Sequence, residues 1–277
     1  MKRITLAAVA VVVILLVVGI PYAYFTLQPA KPPEQLTVFA AASLTNVMQN
    51  ISVAFNAKYD ANITFNFAGS GTLATQITEG FPCDVFLSAA PTQMNQVANA
   101  SLLYNGSAIF AKNSLIVIVA KSSASKVSSI SDLAASGVRV ELEASSVPAG
   151  AYALTILNNI QSTWGNSSSP SYVGSQYTNF SKAVLANVIS YDTDVESTVT
   201  KVVTGTADAG IVYKTDAIAQ AANINFITIP NSVNVMAQYP VGIVSTSHHL
   251  KLAQEFSNFL LSSQGQQILN NFGFVSP

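Results

Sequence analysis

Two stretches of the chain place a serine among small residues where an apolar run gives way to an amphipathic one. They are Ala40–Met48 (AAASLTNVM) and Phe67–Ala74 (FAGSGTLA). Each reads as a strand end turning into a helix. The first N–H groups of a helix have no partner within it and carry about half a positive charge, so such a turn suits an oxyanion. Ser43 and Ser70 add hydroxyl donors at those points. A lone serine there commonly does no more than cap its helix. Two of them on neighbouring strands, at the carboxyl edge of one sheet, point to a site. A third turn, Ser145–Tyr152 (SSVPAGAY), offers free amides near Ala149 and Gly150. A fourth, Asp192–Val195 (DTDV), opens another helix, and Gly210–Tyr213 (GIVY) ends a strand on a tyrosine hydroxyl. None of the five contains Lys or Arg. Hydroxyls and amides exchange water for fixed neutral donors and select an anion by size and shape rather than by charge alone.

Other chemistries fit less well. Gly69–Ala74 matches the loose dinucleotide fingerprint G-x-G-x-x-A, but the acidic ribose ligand expected about 20 residues later is missing, since Asp84 comes too early and opens its strand. A Ser-His-Asp triad would have to use His248 or His249, which lie in the lead into a helix, and no G-x-S-x-G elbow exists. A secreted serine hydrolase working through Ser43 or Ser70 is the rival from another class, and it lacks a base. Cys83 reads as a small core residue rather than a nucleophile. Asp192, Asp194 and Glu196 read as acids that complement a helix dipole rather than as metal ligands.

The elements that must hold these turns alternate between strand and helix. Strands are expected at Leu36–Ala41, Asn62–Ala68, Cys83–Ser88, Leu115–Ala120, Val138–Glu141, Val188–Tyr191, Ala207–Tyr213, Asn225–Ile229 and Val235–Val244. Helices are expected at Thr45–Asn56, Thr72–Glu79, Pro91–Ala98, Gly150–Ile160, Asp194–Thr204, Thr215–Ala221, Leu250–Leu261 and Ser263–Asn271. In the first of these, Val47, Met48, Ile51 and Phe55 share a face. Ser162–Ser181, rich in Ser, Gly, Asn and Tyr, reads as an exposed excursion rather than core. The alternation predicts an α/β fold with parallel or mixed sheets covered by helices. Pattern alone leaves one large sheet or two lobes open, and the chemistry favours two lobes facing a cleft.

Composition narrows the partners. Only 9% of the 277 residues are charged, where a soluble domain has about 25%. Twelve Lys and Arg against thirteen Asp and Glu leave no basic stripe for nucleic acid. A single cysteine excludes an internal disulfide and any multi-cysteine zinc site. Few carboxylates also mean few groups whose protonation could unfold the protein, as an acidic exterior would require. Six N-x-S/T sequons occur, at Asn50, Asn62, Asn99, Asn105, Asn166 and Asn179, in a chain rich enough in Asn, Ser and Thr to make them by chance.

The address lies at the start. Lys2 and Arg3 precede an uncharged run from Ile4 to Ile20, at the border between a secretory leader and a spanning helix. Residues 1–28 are read as a signal peptide or an N-terminal membrane anchor. The absence of a small-x-small cleavage site favours the anchor, and the bases place the rest outside the cell. Residues 29–35, with Pro29, Pro32 and Pro33, form a stiff linker.

At these turns the chain resembles the substrate-binding proteins of molybdate ABC transporters. The likeness rests on Leu36–Met48 (LTVFAAASLTNVM), Phe67–Ile77 (FAGSGTLATQI), Cys83–Ala89 (CDVFLSA), Asn113–Lys121 (NSLIVIVAK), Val147–Gly150 (VPAG), Gly210–Ala217 (GIVYKTDA) and the last two helices. The resemblance implies a type II periplasmic-binding fold of two α/β lobes with a ligand cleft between them: residues 36–115 with 240–277, and residues 116–239. It implies capture of molybdate or tungstate as a tetrahedral oxyanion, with no cofactor and no separate cation site, and delivery by a monomer to an ABC permease. Ligand positions carried over are Ser43 and Ser70 from one lobe, and the Ala149 and Val195 amides and the Tyr213 hydroxyl from the other. Some archaeal relatives complete an octahedral shell with two carboxylates. The positions here are Val147 and Val195, so the chain resembles the tetrahedral branch. Gly69 and Gly71 stand where the family often has serines, which reduces the donors on that turn. The same fold tuned to sulfate or another small oxyanion is the nearest alternative.

Overall fold

The computed structural model describes residues 33–277; the expected leader or anchor lies outside them, as does most of the linker. Among the described residues nine strands alternate with helices: β1 (Glu34–Ala41), β2 (Ala61–Ala68), β3 (Val85–Leu87), β4 (Leu103–Ala120), β5 (Val140–Glu143), β6 (Val188–Asp192), β7 (Ala209–Tyr213), β8 (Ile224–Thr228) and β9 (Met236–Val244). The α-helices are α1 (Thr45–Tyr59), α2 (Ser70–Thr78), α3 (Pro91–Asn99), α4 (Pro148–Trp164), α5 (Phe180–Ala186), α6 (Val195–Val203), α7 (Lys214–Ala219), α8 (Leu250–Leu261) and α9 (Ser263–Asn271). Among the described residues no helix is long and apolar enough to cross a membrane.

The strands form one hydrogen-bonded path that β4 divides into two mixed sheets. The first has the order β2-β1-β3-β9-β4, with β1 parallel to β2 and β3, and β9 antiparallel to β3 and β4. The second is β8-β4-β7-β5-β6, with β5 parallel to β6 and β7, and β4 antiparallel to β7 and β8. β4 changes partner along its length: Leu103–Ser114 pairs with β9, and Leu115–Val119 pairs with β7. Parallel pairs demand crossover helices, and those helices cover the sheet faces.

The apolar patterning explains the core. Val47, Met48, Ile51 and Phe55 of α1 are buried together, and the Phe55 ring meets Phe256 and Phe259 of α8 edge-on at 5.2 and 5.7 Å. In the second sheet, buried Asp208 fixes the strand edge. It accepts from Ser123 Oγ (2.7 Å), Lys126 Nζ (2.6 Å), Arg139 Nη2 (2.8 Å) and the Arg139 amide (2.8 Å). Burial pushes its pKa up, but these donors hold the carboxyl well below the usual range.

Two expectations need correction. The strand expected at Leu115–Ala120 is eighteen residues long, because the Leu103–Ser114 stretch before it pairs along β9 through register shifts. One shift falls where Asn105 (φ 56°) and Gly106 (φ 81°) turn left-handed. Nor is Ser162–Ser181 wholly exposed: Tyr177 and Phe180 are buried, and Tyr177 meets the Trp164 ring at 5.2 Å and the Phe180 ring at 5.3 Å. Its aromatics are spaced by turns rather than by helical or strand periodicity, so the pattern hid them.

Candidate functional site

Each of the turns singled out in the sequence follows the carboxyl end of a strand and begins a helix. β1 runs into a single 3-10 turn, Ala42–Leu44, and then α1. β2 passes through Gly69 into α2, β5 leads to α4, β6 to α6, and β7 directly to α7. α4 starts on Pro148, whose fixed φ suits the first helical position and whose missing N–H costs nothing there. α6 is capped by Asp194, whose carboxylate accepts from the Ser197 amide at 2.9 Å. The acids of that turn are therefore structural: Asp194 caps, and Asp192 pairs with Lys201 at 2.6 Å. Among the described residues no group of His, Cys, Asp and Glu could hold a metal ion.

Ser43, Ser70, Ala149, Val195 and Tyr213 all line one small cavity, with Ala41, Ala42, Gly69, Ala89, Val147 and Pro148 completing its wall. Its free volume is about 10 Å³, on the order of a single probe sphere. Among the described residues no cationic or anionic side chain lines it. First-turn residues of α2, α4 and α6 line it, and the amides of a first turn have no intrahelical partner.

The hydroxyls differ in what already holds them. Ser70 is 1% exposed, and its Oγ accepts from the Ala89 amide at 3.0 Å, which leaves its proton free to donate. Ser43 Oγ lies 3.1 Å from the Tyr239 hydroxyl. Tyr239 sits on β9 behind the cavity lining, and nothing in the sequence signals that its hydroxyl meets a serine 196 positions earlier. Tyr213 is 2% exposed and packs against the Tyr239 ring at 5.6 Å. Its hydroxyl has no hydrogen-bond partner among the described residues. Burial, followed by the proximity of Tyr239, Tyr152, Glu143 and Asp216, pushes its pKa well up, so the phenol stays a donor.

Two acids that the sequence reading did not single out as ligands, Glu143 and Asp216, lie near Tyr213, and a third, Glu196, lies near Asp216. Glu143, at the end of β5, is 1% exposed, and neither carboxyl oxygen has a hydrogen-bond partner among the described residues. Burial, with Asp192 and Asp194 nearby, raises its pKa to about 8. Burial raises Asp216 well above the carboxylate range and raises Glu196 too. None of the three forms an ion pair among the described residues. A protonated Glu143 removes a negative charge that would oppose an anion in the cavity.

The remaining sequence candidates lie elsewhere. His249 and His248 border a separate surface pocket with Cys83 and Asp84, where His249 Nδ1 is 3.3 Å from Asp84 Oδ1 and Ser247 Oγ donates to the same oxygen at 2.6 Å. No histidine lines the serine-bearing cavity. Cys83 is 5% exposed, and burial pushes its thiol up to about 12, which leaves it unreactive.

Comparison with known proteins places this architecture. The family model of bacterial extracellular solute-binding proteins matches residues 36–275. The molybdate-binding protein ModA of Mycobacterium tuberculosis is 32% identical over 250 residues, covering 90% of this chain and 87% of that one. Two solved structures share the fold at 18% identity. The sulfate-binding protein SubI of M. tuberculosis superposes with a TM-score of 0.76 over 88% of this chain and 87% of that one. The periplasmic molybdate-binding protein of Azotobacter vinelandii gives 0.73 over 87% and 99%. The mixed sheets flanked by helices are thus those of a periplasmic-binding fold, and the chain belongs to the bacterial extracellular solute-binding proteins, on the branch it shares with the molybdate-binding proteins.

Proposed function

We propose that this protein captures molybdate or tungstate outside the cytoplasm as a tetrahedral dianion and hands it to an ABC permease. The observation that carries the reading is the meeting of Ser43, Ser70, Ala149, Val195 and Tyr213 on one cavity that no charged side chain lines among the described residues. Hydroxyls and helix-terminal amides supply the hydrogen bonds that replace water, and the helix ends supply partial positive charge. Residues 36–115 with 240–277 form one lobe and residues 116–239 the other, so the donor set is complete only when the lobes close. The leader segment tethers the monomer to the membrane. The protein is a carrier, not an enzyme, and needs no cofactor. A serine hydrolase is disfavoured because Ser43 and Ser70 have no histidine beside them in the cavity.

Sulfate is the second reading, favoured by the fold shared with the sulfate-binding SubI. The free volume is that of about one water, so the turns must part to admit either anion, and donors that settle around the larger oxyanion leave longer, weaker hydrogen bonds to sulfate. Thermal-shift titration with molybdate, tungstate and sulfate, run beside an esterase assay, tests the choice. Strong stabilisation by the first two, a weak sulfate response and no hydrolysis is the expected result. Equal stabilisation by sulfate would remove the substrate assignment, and turnover would remove the carrier reading.

A further inference from the structure

The turn that carries Ser70 is flanked by Gly69 and Gly71, and neither glycine serves an unusual backbone. Gly69 has φ −58° and ψ 137°, which any residue adopts. Gly71 lies inside α2, where alanine is the better helix former. What both positions lack is room. A Cβ on Gly69 would overlap the carbonyl oxygen of Thr193, and one on Gly71 would come within 2.8 Å of the carbonyl oxygen of Ser146. These opposing atoms are main chain, which cannot swing aside as a long side chain can. Thr193 belongs to the turn that leads to Val195, and Ser146 to the turn that leads to Ala149. A third contact crosses the same gap: Gln93 of α3 donates from Nε2 to the Ser146 carbonyl at 3.3 Å. Gly71, Gln93 and Ser146 share a groove beside the cavity, and Gly69 forms part of the cavity wall itself.

We propose that Gly69 and Gly71, with Gln93, are positioning residues that set how closely the Ser70 turn meets the Ala149 and Val195 turns. They thereby set the affinity and residence time of the bound oxyanion. The inference rests on the oxyanion-binding reading above. A side chain at position 69 props the two sets of donors apart, so an anion held by one set loses hydrogen-bond length and angle to the other. The overlap is deeper at 69 than at 71, which orders the effects. Gln93 adds a clasp that acts only once the turns have met.

The test uses the whole chain, with molybdate as probe, in Gly69→Ala, Gly71→Ala and Gln93→Ala. Losing good geometry on one charge-assisted hydrogen bond corresponds to about tenfold in affinity, the loss expected for Gly69→Ala. Gly71→Ala should lose less, while its ligand-free melting temperature holds or rises because alanine favours the helix. That opposite movement of stability and affinity is one that a merely structural glycine would not give. Gln93→Ala should speed dissociation and leave association unchanged. Small-angle scattering of Gly69→Ala with saturating molybdate should show a less compact particle than the wild type. Wild-type affinity in both glycine variants would overturn the inference alone. A wild type that binds no tetrahedral oxyanion would overturn this inference and the proposed function together.

Discussion

Replacing Tyr213 by Phe separates a ligand donor from a core ring. The ring packs against Tyr239 at 5.6 Å and is 2% exposed, and phenylalanine keeps that packing. The hydroxyl has no partner among the described residues, so its removal breaks no internal hydrogen bond. An unsatisfied buried hydroxyl is itself a cost of about 1–3 kcal/mol, so the ligand-free variant should melt at the wild-type temperature or above it. A hydrogen bond from this phenol to a desolvated dianion is worth about 1.5–3 kcal/mol, or roughly ten- to hundredfold in affinity. Calorimetric titration with molybdate, paired with melting curves with and without it, reads both quantities. The melting rise on adding molybdate should shrink in step with affinity. A variant that binds as tightly as the wild type, or one that melts markedly lower without ligand, would refute the assignment of Tyr213 as a donor.

Further expectations follow from the same geometry. Ser70→Ala should lower affinity about ten- to hundredfold and also cost roughly 1–3 kcal/mol of stability, because the Ala89 amide loses its acceptor; affinity and urea midpoints measured together decide it. Ser43→Ala should act likewise through the orphaned Tyr239 hydroxyl. Glu143 has its pKa raised to about 8 in the folded chain, so its contribution is fully present below about pH 4.3, the unfolded carboxyl value, and is lost as pH rises through 8. Glu143→Gln should flatten that decline, and an unchanged stability profile between pH 5 and 9 would contradict the placement. Asp208 behaves oppositely, stabilising at neutral pH and ceasing to as pH falls through its depressed pKa; Asp208→Asn should cost about 2–3 kcal/mol in denaturant melts. Cys83 should resist alkylation until the protein unfolds, and rapid labelling of the native state would contradict its burial.

Strand-helix alternation in the sequence was enough to locate the five turns because each couples an apolar strand end to small residues and a helix start. That pairing is local, and local patterns survive folding. What stayed hidden was non-local. The Leu103–Ser114 half of β4 bunches its apolar residues at Ala108–Ala111 instead of alternating them, and its strand shows only in its pairing with β9. Tyr239 acquires its role from Ser43 through the order of strands in the first sheet, which no spacing encodes. Glu143 lies two residues beyond the strand that the pattern predicts, and its raised pKa comes from being 1% exposed with no hydrogen-bond partner among the described residues. The glycines beside Ser70 were legible as missing donors, while their closeness to Thr193 and Ser146 required the fold.

The most direct test of the central claim is a crystal structure grown with molybdate, with the metal located by its anomalous signal. The account predicts one peak in the cavity and four oxygens in tetrahedral array. Those oxygens should lie about 3 Å from Ser43 Oγ, Ser70 Oγ, the Ala149 and Val195 amide nitrogens and the Tyr213 hydroxyl. A peak elsewhere, or a metal bound directly by the carboxylates of Glu143 or Asp216, would contradict it.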